Sequence, residues 1–194
     1  CARCNTGPKN ESRELVKVNC RTESPTGFQR VVRNARRPLV QDRRVREALG
    51  LAIDYEWMNR QMFYGAYQRV NGLFGNTACE TRGLPSPEEL ALMAPWRKDL
   101  PAAAFGAMAA PPSTDPPGSL RANLRRAQQL LHDAGWRVQG GVLRNAAGQA
   151  LAPAYMDSND GRVRTVAPWL PHSTTLGVQL RFRSLDFALY QQRL

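Results

Sequence analysis

The strongest constraint on the fold is the segment from Ser119 to Gly135, which has the pattern of a single amphipathic helix. Ser119 supplies a side-chain oxygen for the N-cap, and Gly135 allows the left-handed conformation that ends many helices. Its apolar residues recur at spacings of four and three, on one helix face: Leu120, Leu124, Ala127, Leu131 and Ala134. Such a face must be buried against another element, so the sequence predicts a layered domain.

Two further helices are predicted near the middle of the chain. Asp42 is a suitable N-cap, and a continuous apolar face follows it, formed by Val45, Ala48, Leu49, Ala52 and Ile53. Asp54 begins the next helix, which we expect to run to Phe63 and to end at Gly65. Apolar residues at helical spacing more often fill a core than line a pocket, so we assign Trp57, Met58 and Met62 to the core.

Strand patterns occur before and after these helices. Alternation over 16–20 and 28–33 predicts two strands, and Asn145–Gly148 predicts the turn of a hairpin between Val142-Leu143 and Leu151–Met156. A candidate helix over 162–175, interrupted by Pro168 and Pro171, leads to a last strand at 178–183 and a helix opened by Asp186. Such a strand, crossover and strand predict a parallel pair.

These elements together predict a mixed α+β (α/β) lobe, with a mixed sheet flanked by helices. We divide the chain into an N-terminal extension with the first strand, 1–23, and a single ligand-binding domain, 24–194. A proline-rich excursion over 71–118 lies inside that domain. No stretch approaches the roughly 18 apolar residues of a transmembrane helix. The last helix has nothing after it to pack on, so we expect a fragment of a longer chain.

The formal charge of +11 comes almost entirely from arginine, and it raises the alternative of a nucleic-acid-binding domain. The densest patch runs from Arg33 to Arg46, but Asp42 interrupts it, and the other arginines are scattered. No zinc-finger spacing or aromatic stacking strand accompanies them. We interpret the arginines as a solvated surface and expect no nucleic-acid partner.

Residues that could carry chemistry are few. Cys1 and Cys4 form a CxxC without a second pair, and Cys20 and Cys79 complete the four cysteines. Free thiols are the favoured interpretation, with a disulfide from Cys20 to Cys79 or Cys4 as the alternative. The sequence contains two histidines, His132 and His172, and no nucleophile elbow or zinc-binding helix motif. We therefore predict no enzyme, no metal and no cofactor.

Three segments, in this order and spacing, resemble family 5 of the extracellular solute-binding proteins, the peptide binders of ABC importers. Residues 42–54 resemble the motif D-x-R-V-R-x-A-L-x-x-A-I-D. Residues 124–136 are similar to A-x-x-L-L-x-x-A-G-[WY], followed by a hairpin with an N-x-x-G turn. Residues 176–190 match L-G-[IV]-x-V-x-x-x-x-x-D-x-x-x-Y. The resemblance covers about residues 24 to 194.

The resemblance implies a periplasmic binding protein with two lobes that close over a ligand, of which this chain is much of the second. It also implies a monomer that captures peptides and delivers them to a permease in the inner membrane. Other ligands known in the family are kept as alternatives, namely a sugar, a nickel chelate or an opine-like compound. The amine anchor that the family uses, an aspartate beside a tryptophan, would lie after Leu194.

The resemblance also suggests ligand contacts. In dipeptide-binding relatives, an arginine in the loop after the post-hairpin strand pairs with the ligand carboxylate, and Arg162 is the only arginine of that loop here. A guanidinium grips a carboxylate with two parallel hydrogen bonds. Asn159 belongs to the same loop, and Phe74 and Asn76 lie in a segment that resembles a cleft-facing loop. This sequence departs from the family pattern at Arg33, a position where members of the family usually have an apolar strand residue.

Overall fold

The computed structural model describes residues 12, 16, 18, 30–70, 72, 74–81, 83–108 and 110–193. The chain divides into two compact units, which are treated separately below. The main unit comprises 31–67 and 112–194, and the small unit comprises 1–30 and 68–111.

The described elements confirm the mixed α/β class. The helices are α1 (Pro38–Gln41), α2 (Arg43–Leu51), α3 (Tyr55–Phe63), α4 (Pro87–Met93), α5 (Leu120–Asp133), α6 (Asp160–Val166), α7 (Trp169–Thr175) and α8 (Phe187–Arg193). The strands are β1 (Arg137–Gln139), β2 (Val142–Arg144), β3 (Ala154–Asp157) and β4 (Arg181–Ser184). Helix α4 belongs to the small unit, and the other elements belong to the main unit.

The core of the main unit forms where α2 packs against α5. Both helices begin as the sequence predicts, because Asp42 accepts the N–H of Arg44 at 2.7 Å and Ser119 accepts that of Ala122 at 3.1 Å. Their apolar faces meet strands and loops in one buried cluster, which includes Val45, Ala48, Leu49, Ala127, Leu131, Trp136, Leu143, Leu151, Trp169, Leu176, Val178 and Leu180.

The predicted hairpin is wrong in its pairing. The antiparallel pair joins β1 to β2, with Val138 opposite Leu143, around a turn at Gly140-Gly141. Both glycines have positive φ, 57° and 78°, as a two-residue hairpin turn requires. The Asn145–Gly148 turn is present, but only an isolated bridge between Arg144 and Ala150 follows it.

The predicted parallel pair is confirmed as β3 and β4, with Tyr155 opposite Phe182 and Asp157 opposite Ser184. The single predicted helix between these strands is instead two helices, α6 and α7. Pro168 lies at the break, where it removes a backbone donor that a continuous helix would need. The sheet of this unit is therefore two small two-stranded sheets within the described residues, flanked by helices.

The predicted core positions on α3 are partly wrong. Met58 is buried, but 43 % of Trp57 and 36 % of Met62 remain exposed. Trp169, in contrast, is buried at 4 % exposure. Helical spacing alone could not place these residues, because α3 presents a single side chain to the core.

The last part of the irregular excursion is fixed to the first turn of α3. The Thr114 hydroxyl lies 2.5 Å from Asp54 Oδ1 and 2.9 Å from Glu56 Oε2, and the backbone N–H of Thr114 donates to Glu56. One turn further along α3, Arg60 forms an ion pair with Asp115 at 2.7 Å. The excursion is therefore ordered where it joins the main unit.

The small unit is organised around α4. Ser86 and Glu89 form a reciprocal capping box at its start, with hydrogen bonds of 2.7 and 3.2 Å. Two short 3₁₀ turns follow, Ala94–Trp96 and Ala102–Phe105, and the Arg97 guanidinium lies 4.6 Å above the Phe105 ring. The thiol of Cys79 is free and exposed.

The two strands predicted before Asn34 fall mostly outside the described residues. Val16 and Val18 are described and exposed, and Arg30 to Arg33 have no strand assignment. Cys1, Cys4 and Cys20 also lie outside the described residues.

Candidate ligand-binding site

The candidate site lies at the carboxyl ends of β3 and β4. The two strands run parallel and end level, at Asp157 and Ser184. In sheets of parallel strands, ligands bind in the crevice beyond these ends, because the loops that follow them diverge there. The loop after β3, residues 158–159, and the first turn of α6 therefore occupy the position in which a ligand contact is expected.

Asp157 organises this loop. Its side chain, 10 % exposed, accepts the Tyr155 hydroxyl at 2.8 Å through Oδ2 and the backbone N–H of Asn159 at 2.9 Å through Oδ1. The Nε of Arg162 lies 3.3 Å from the same Oδ1. A buried carboxylate costs little when its oxygens are satisfied in this way, so Asp157 holds both the loop and the arginine in place.

The Tyr155 hydroxyl remains a neutral donor to Asp157. Burial of the ring raises the pKa of Tyr155 above its ordinary value of 10.0, and the hydrogen bond to the Asp157 carboxylate raises it further. The ring also packs edge-on against Phe182, with centroids 5.6 Å apart. The Tyr155–Asp157 pair is therefore a fixed support beneath the loop.

Asn159 has a structural role that the sequence did not reveal. Its side-chain oxygen caps α6, accepting the N–H of Gly161 at 2.8 Å and that of Arg162 at 3.4 Å. This oxygen is therefore committed within the protein, whereas the side-chain Nδ2 of Asn159 makes no hydrogen bond to a described residue.

Arg162 is held at one end and open at the other. Its side chain is 53 % exposed, and its Nε faces Asp157. Within the part of the chain that the structure describes, the two terminal amino groups make no hydrogen bond. The guanidinium is therefore oriented through its Nε, and its terminal amino groups are not used by the described residues.

A further contact ties the loop to the neighbouring strand end. The Ser184 hydroxyl donates to Asp160 Oδ1, and the backbone N–H of Leu185 donates to the Asp157 carbonyl at 3.0 Å. Asp186, on the same side, caps α8 by accepting the N–H of Leu189 at 3.0 Å. The carboxyl end of the pair is thus a connected polar network.

Phe74 and Asn76 belong to the small unit and are described within it. Both are exposed, and 59 % of the Phe74 side chain is accessible. The Phe74 carbonyl accepts the Thr77 hydroxyl at 2.7 Å, and Asn76 adopts φ of 61° while its N–H donates to Glu80 at 3.1 Å. The structure brings Asn159 and Arg162 together at one site.

Tyr155, Asp157 and Ser184 are the site residues that the sequence did not single out. Strand alternation places Tyr155 and Asp157 on the same face of β3, which is a signal for a pair. An aspartate directly after the predicted strand Leu151–Met156 is a second such signal. Ser184 gave no signal, because its position depends on the register of β3 and β4.

Among the residues that the structure describes, no three His, Cys, Asp or Glu side chains lie close enough together to hold a metal ion. Within the same ranges, the helices are too short or too polar to cross a membrane. His132 is exposed beside Asp133, and His172 Nδ1 lies 3.0 Å from the Ala52 carbonyl.

Comparison with solved structures identifies the fold. The oligopeptide-binding protein AppA of Bacillus subtilis, solved with a nonapeptide, is similar over 82% of this chain and 26% of its own, with a TM-score of 0.57 at 16% identity. NikA of Brucella suis, solved with Fe(III)-EDTA, is similar over 82% of this chain and 26% of its own, with a TM-score of 0.55 at 20% identity. Both likenesses support one lobe of a two-lobed binding protein.

Comparison with protein sequences identifies the family. YejA of Escherichia coli K12 is 36% identical over 93% of this chain, and the peptidoglycan-binding protein YepA of Agrobacterium fabrum is 33% identical over 93%. The chain spans about 30% of the length of these curated relatives. The family model for bacterial extracellular solute-binding proteins, family 5 Middle, matches residues 6–194. The chain belongs to the family 5 bacterial extracellular solute-binding proteins.

Proposed function

We propose that the full-length protein is the periplasmic binding component of an ABC importer and that it captures peptides for an inner-membrane permease. Family membership supports the importer role. The nonapeptide bound to AppA, and the pentapeptide bound to a similar Thermus thermophilus protein with a TM-score of 0.53, support peptides as the ligand class.

Arg162 carries this proposal within the chain. Its exposed outer edge lies at the carboxyl end of a parallel strand pair, and Asp157 fixes its Nε side. A peptide ends in a planar carboxylate, which a guanidinium binds through two parallel hydrogen bonds. Asn159 offers its side-chain amide beside this position, and Phe74 and Asn76 are secondary contacts in the proposal.

The proposed activity is binding without chemistry, so the protein is neither an enzyme nor a cofactor carrier. The ligand stabilises the closed arrangement of the two lobes by binding it more tightly than the open one. The protein acts as a monomer and releases the peptide to the permease.

A second candidate is a metal chelate or another non-peptide solute, such as a sugar or an opine-like compound. The similarity to NikA with Fe(III)-EDTA favours the chelate among these. EDTA carries carboxylates, so Arg162 would serve the same purpose for that ligand. The two candidates therefore share a site chemistry and differ in what carries the carboxylate.

Native mass spectrometry of the full-length protein, purified without refolding, separates the candidates. Peptide capture predicts an added mass that fragments into amino-acid ions and gives the preferred length. An added mass that releases a metal or no amino-acid ions would contradict peptide capture and identify the other ligand. The matched control is the same protein after unfolding, dialysis and refolding, which should carry no added mass.

A further inference from the structure

An open concave surface of about 420 Å³ lies over the β1–β2 hairpin, and none of its lining residues belongs to the candidate ligand-binding site. Its lining includes Gly135, Arg137, Gln139, Arg144, Asn145 and Gly148. The lining contains two arginines and no acidic residue.

The two arginines are direct cross-strand partners. Arg137 pairs with Arg144 in the register of β1 and β2, so their side chains leave neighbouring positions of the hairpin. Like charges at such positions repel each other and destabilise the strand pair. Neither arginine forms an ion pair with a carboxylate in the described part of the chain. The positive charge at this surface is therefore left without an acidic counterpart from those residues.

Backbone carbonyls hold both guanidinium groups in place. The Nη1 of Arg137 donates to the carbonyls of His132 at 2.6 Å and Trp136 at 2.9 Å, at the end of α5. The Nη1 of Arg144 donates to the carbonyl of Gly148 at 2.8 Å. Each side chain thus uses one amino group for anchoring, and the Nε and Nη2 groups make no hydrogen bond to a described residue. Anchored donors lose less conformational entropy when a ligand binds.

From this arrangement we propose that the hairpin surface is an oxyanion-binding site, filled by a small phosphate or dicarboxylate dianion between Arg137 and Arg144. Such an ion carries two negative charges and would relieve the repulsion between the two guanidinium groups. Its oxygens match the parallel donors of a guanidinium, which bind phosphate and carboxylate alike. This proposal does not depend on the peptide ligand, because its residues lie on a different part of the main unit.

The test is an NMR titration of the ¹⁵N-labelled protein with inorganic phosphate and, separately, with succinate at constant ionic strength. The proposal predicts saturable shifts of the Gly135, Arg144 and Gly148 amides with one of these anions. Saturation by phosphate alone or by succinate alone tells the two ligand types apart. The proposal would be overturned if the amide shifts rose linearly with anion concentration without saturating. It would also be overturned if amides near arginines all over the surface shifted equally.

Variants make the test specific. Arg144→Gln should weaken binding about tenfold or more, since a charge-assisted hydrogen bond and a charge are both lost. Arg121→Gln, an exposed position on α5 outside the lining, removes the same charge and should change the affinity less than about twofold. Equal weakening by both variants would show general charge attraction and would overturn the proposal. If a variant does not fold, the titration of the unsubstituted protein still tests whether the anion binds at the hairpin surface.

Discussion

The indole Nε1 of Trp169 donates a buried hydrogen bond of 3.0 Å to the backbone carbonyl of Leu49. Leu49 lies in the last turn of α2, where carbonyls have no partner inside the helix. Three residues further along α7, His172 Nδ1 lies 3.0 Å from the carbonyl of Ala52. One face of α7 thus satisfies the carboxyl end of α2, which joins two elements more than a hundred residues apart in sequence.

Trp169→Phe should destabilise the protein by about 1–3 kcal/mol, because it leaves the Leu49 carbonyl buried without its donor. The free energy of unfolding from guanidinium denaturation measures this effect. Trp57→Phe is the matched control, since Trp57 is 43 % exposed, and its effect should stay within about 0.5 kcal/mol. If both variants lost the same free energy of unfolding, the stabilising role of the hydrogen bond from Trp169 to Leu49 would be refuted.

Asp42 should make stability depend on acid pH. Its hydrogen bond with the Arg44 side chain lowers the pKa of Asp42 below the ordinary 3.8. The charged form is therefore favoured in the folded state, so this contribution is present above pH 3.8 and is lost as pH falls through the lowered pKa. Asp42→Asn keeps the N-cap and removes the titration.

The measurement for Asp42 is the free energy of unfolding of both proteins from about pH 6 down to about pH 2. The difference between the original protein and Asp42→Asn should stay constant above about pH 5 and move in favour of the variant below about pH 4. A difference that does not vary with pH would contradict the assigned pKa shift.

Arg33 should be replaceable with a gain in stability. Its Nε is sealed from solvent and has no hydrogen-bond partner among the described residues, and its guanidinium approaches Gly50 on α2. Burial, and then the charge of Arg46, lowers the pKa of Arg33. Arg33→Leu removes a buried polar group and should raise the free energy of unfolding by about 1–3 kcal/mol. Arg121→Leu, on the exposed side of α5, should change it by less than about 0.5 kcal/mol. A loss of stability in Arg33→Leu would contradict this account of the buried guanidinium.

Local signals predicted the helices well. Asp42, Asp54 and Ser119 all cap the helices that follow them, because an N-cap acts on N–H groups two or three residues away. The order of β3, helix and β4 also predicted the parallel pair, since that connection has few alternatives.

The strand pairing of the hairpin and the burial of side chains on α3 were not predicted correctly, because both depend on contacts that the sequence alone does not show. The Asn145–Gly148 turn looked like the hairpin turn, whereas Gly140-Gly141 forms it, and the pair of glycines was the better signal. The side chains of α3 had a core-like spacing, yet the unit supplies a buried environment only for Met58. At the site, Arg162 could be named as a candidate because it is the only arginine in its loop. Its contact with Asp157 could not be predicted, because it depends on where β3 ends, and the predicted strand ended one residue earlier, at Met156.

The most direct test of the account measures the affinity of the full-length protein for its peptide, with a free or an amidated C-terminus, in the original sequence and in Arg162→Gln. If Arg162 binds the terminal carboxylate, amidation should weaken binding to the original protein about 10- to 100-fold. In Arg162→Gln the two peptides should bind equally, while Arg164→Gln, an exposed arginine on the same helix, should behave as the original. An amidation effect of the same size in Arg162→Gln would contradict the assignment of the carboxylate to this residue.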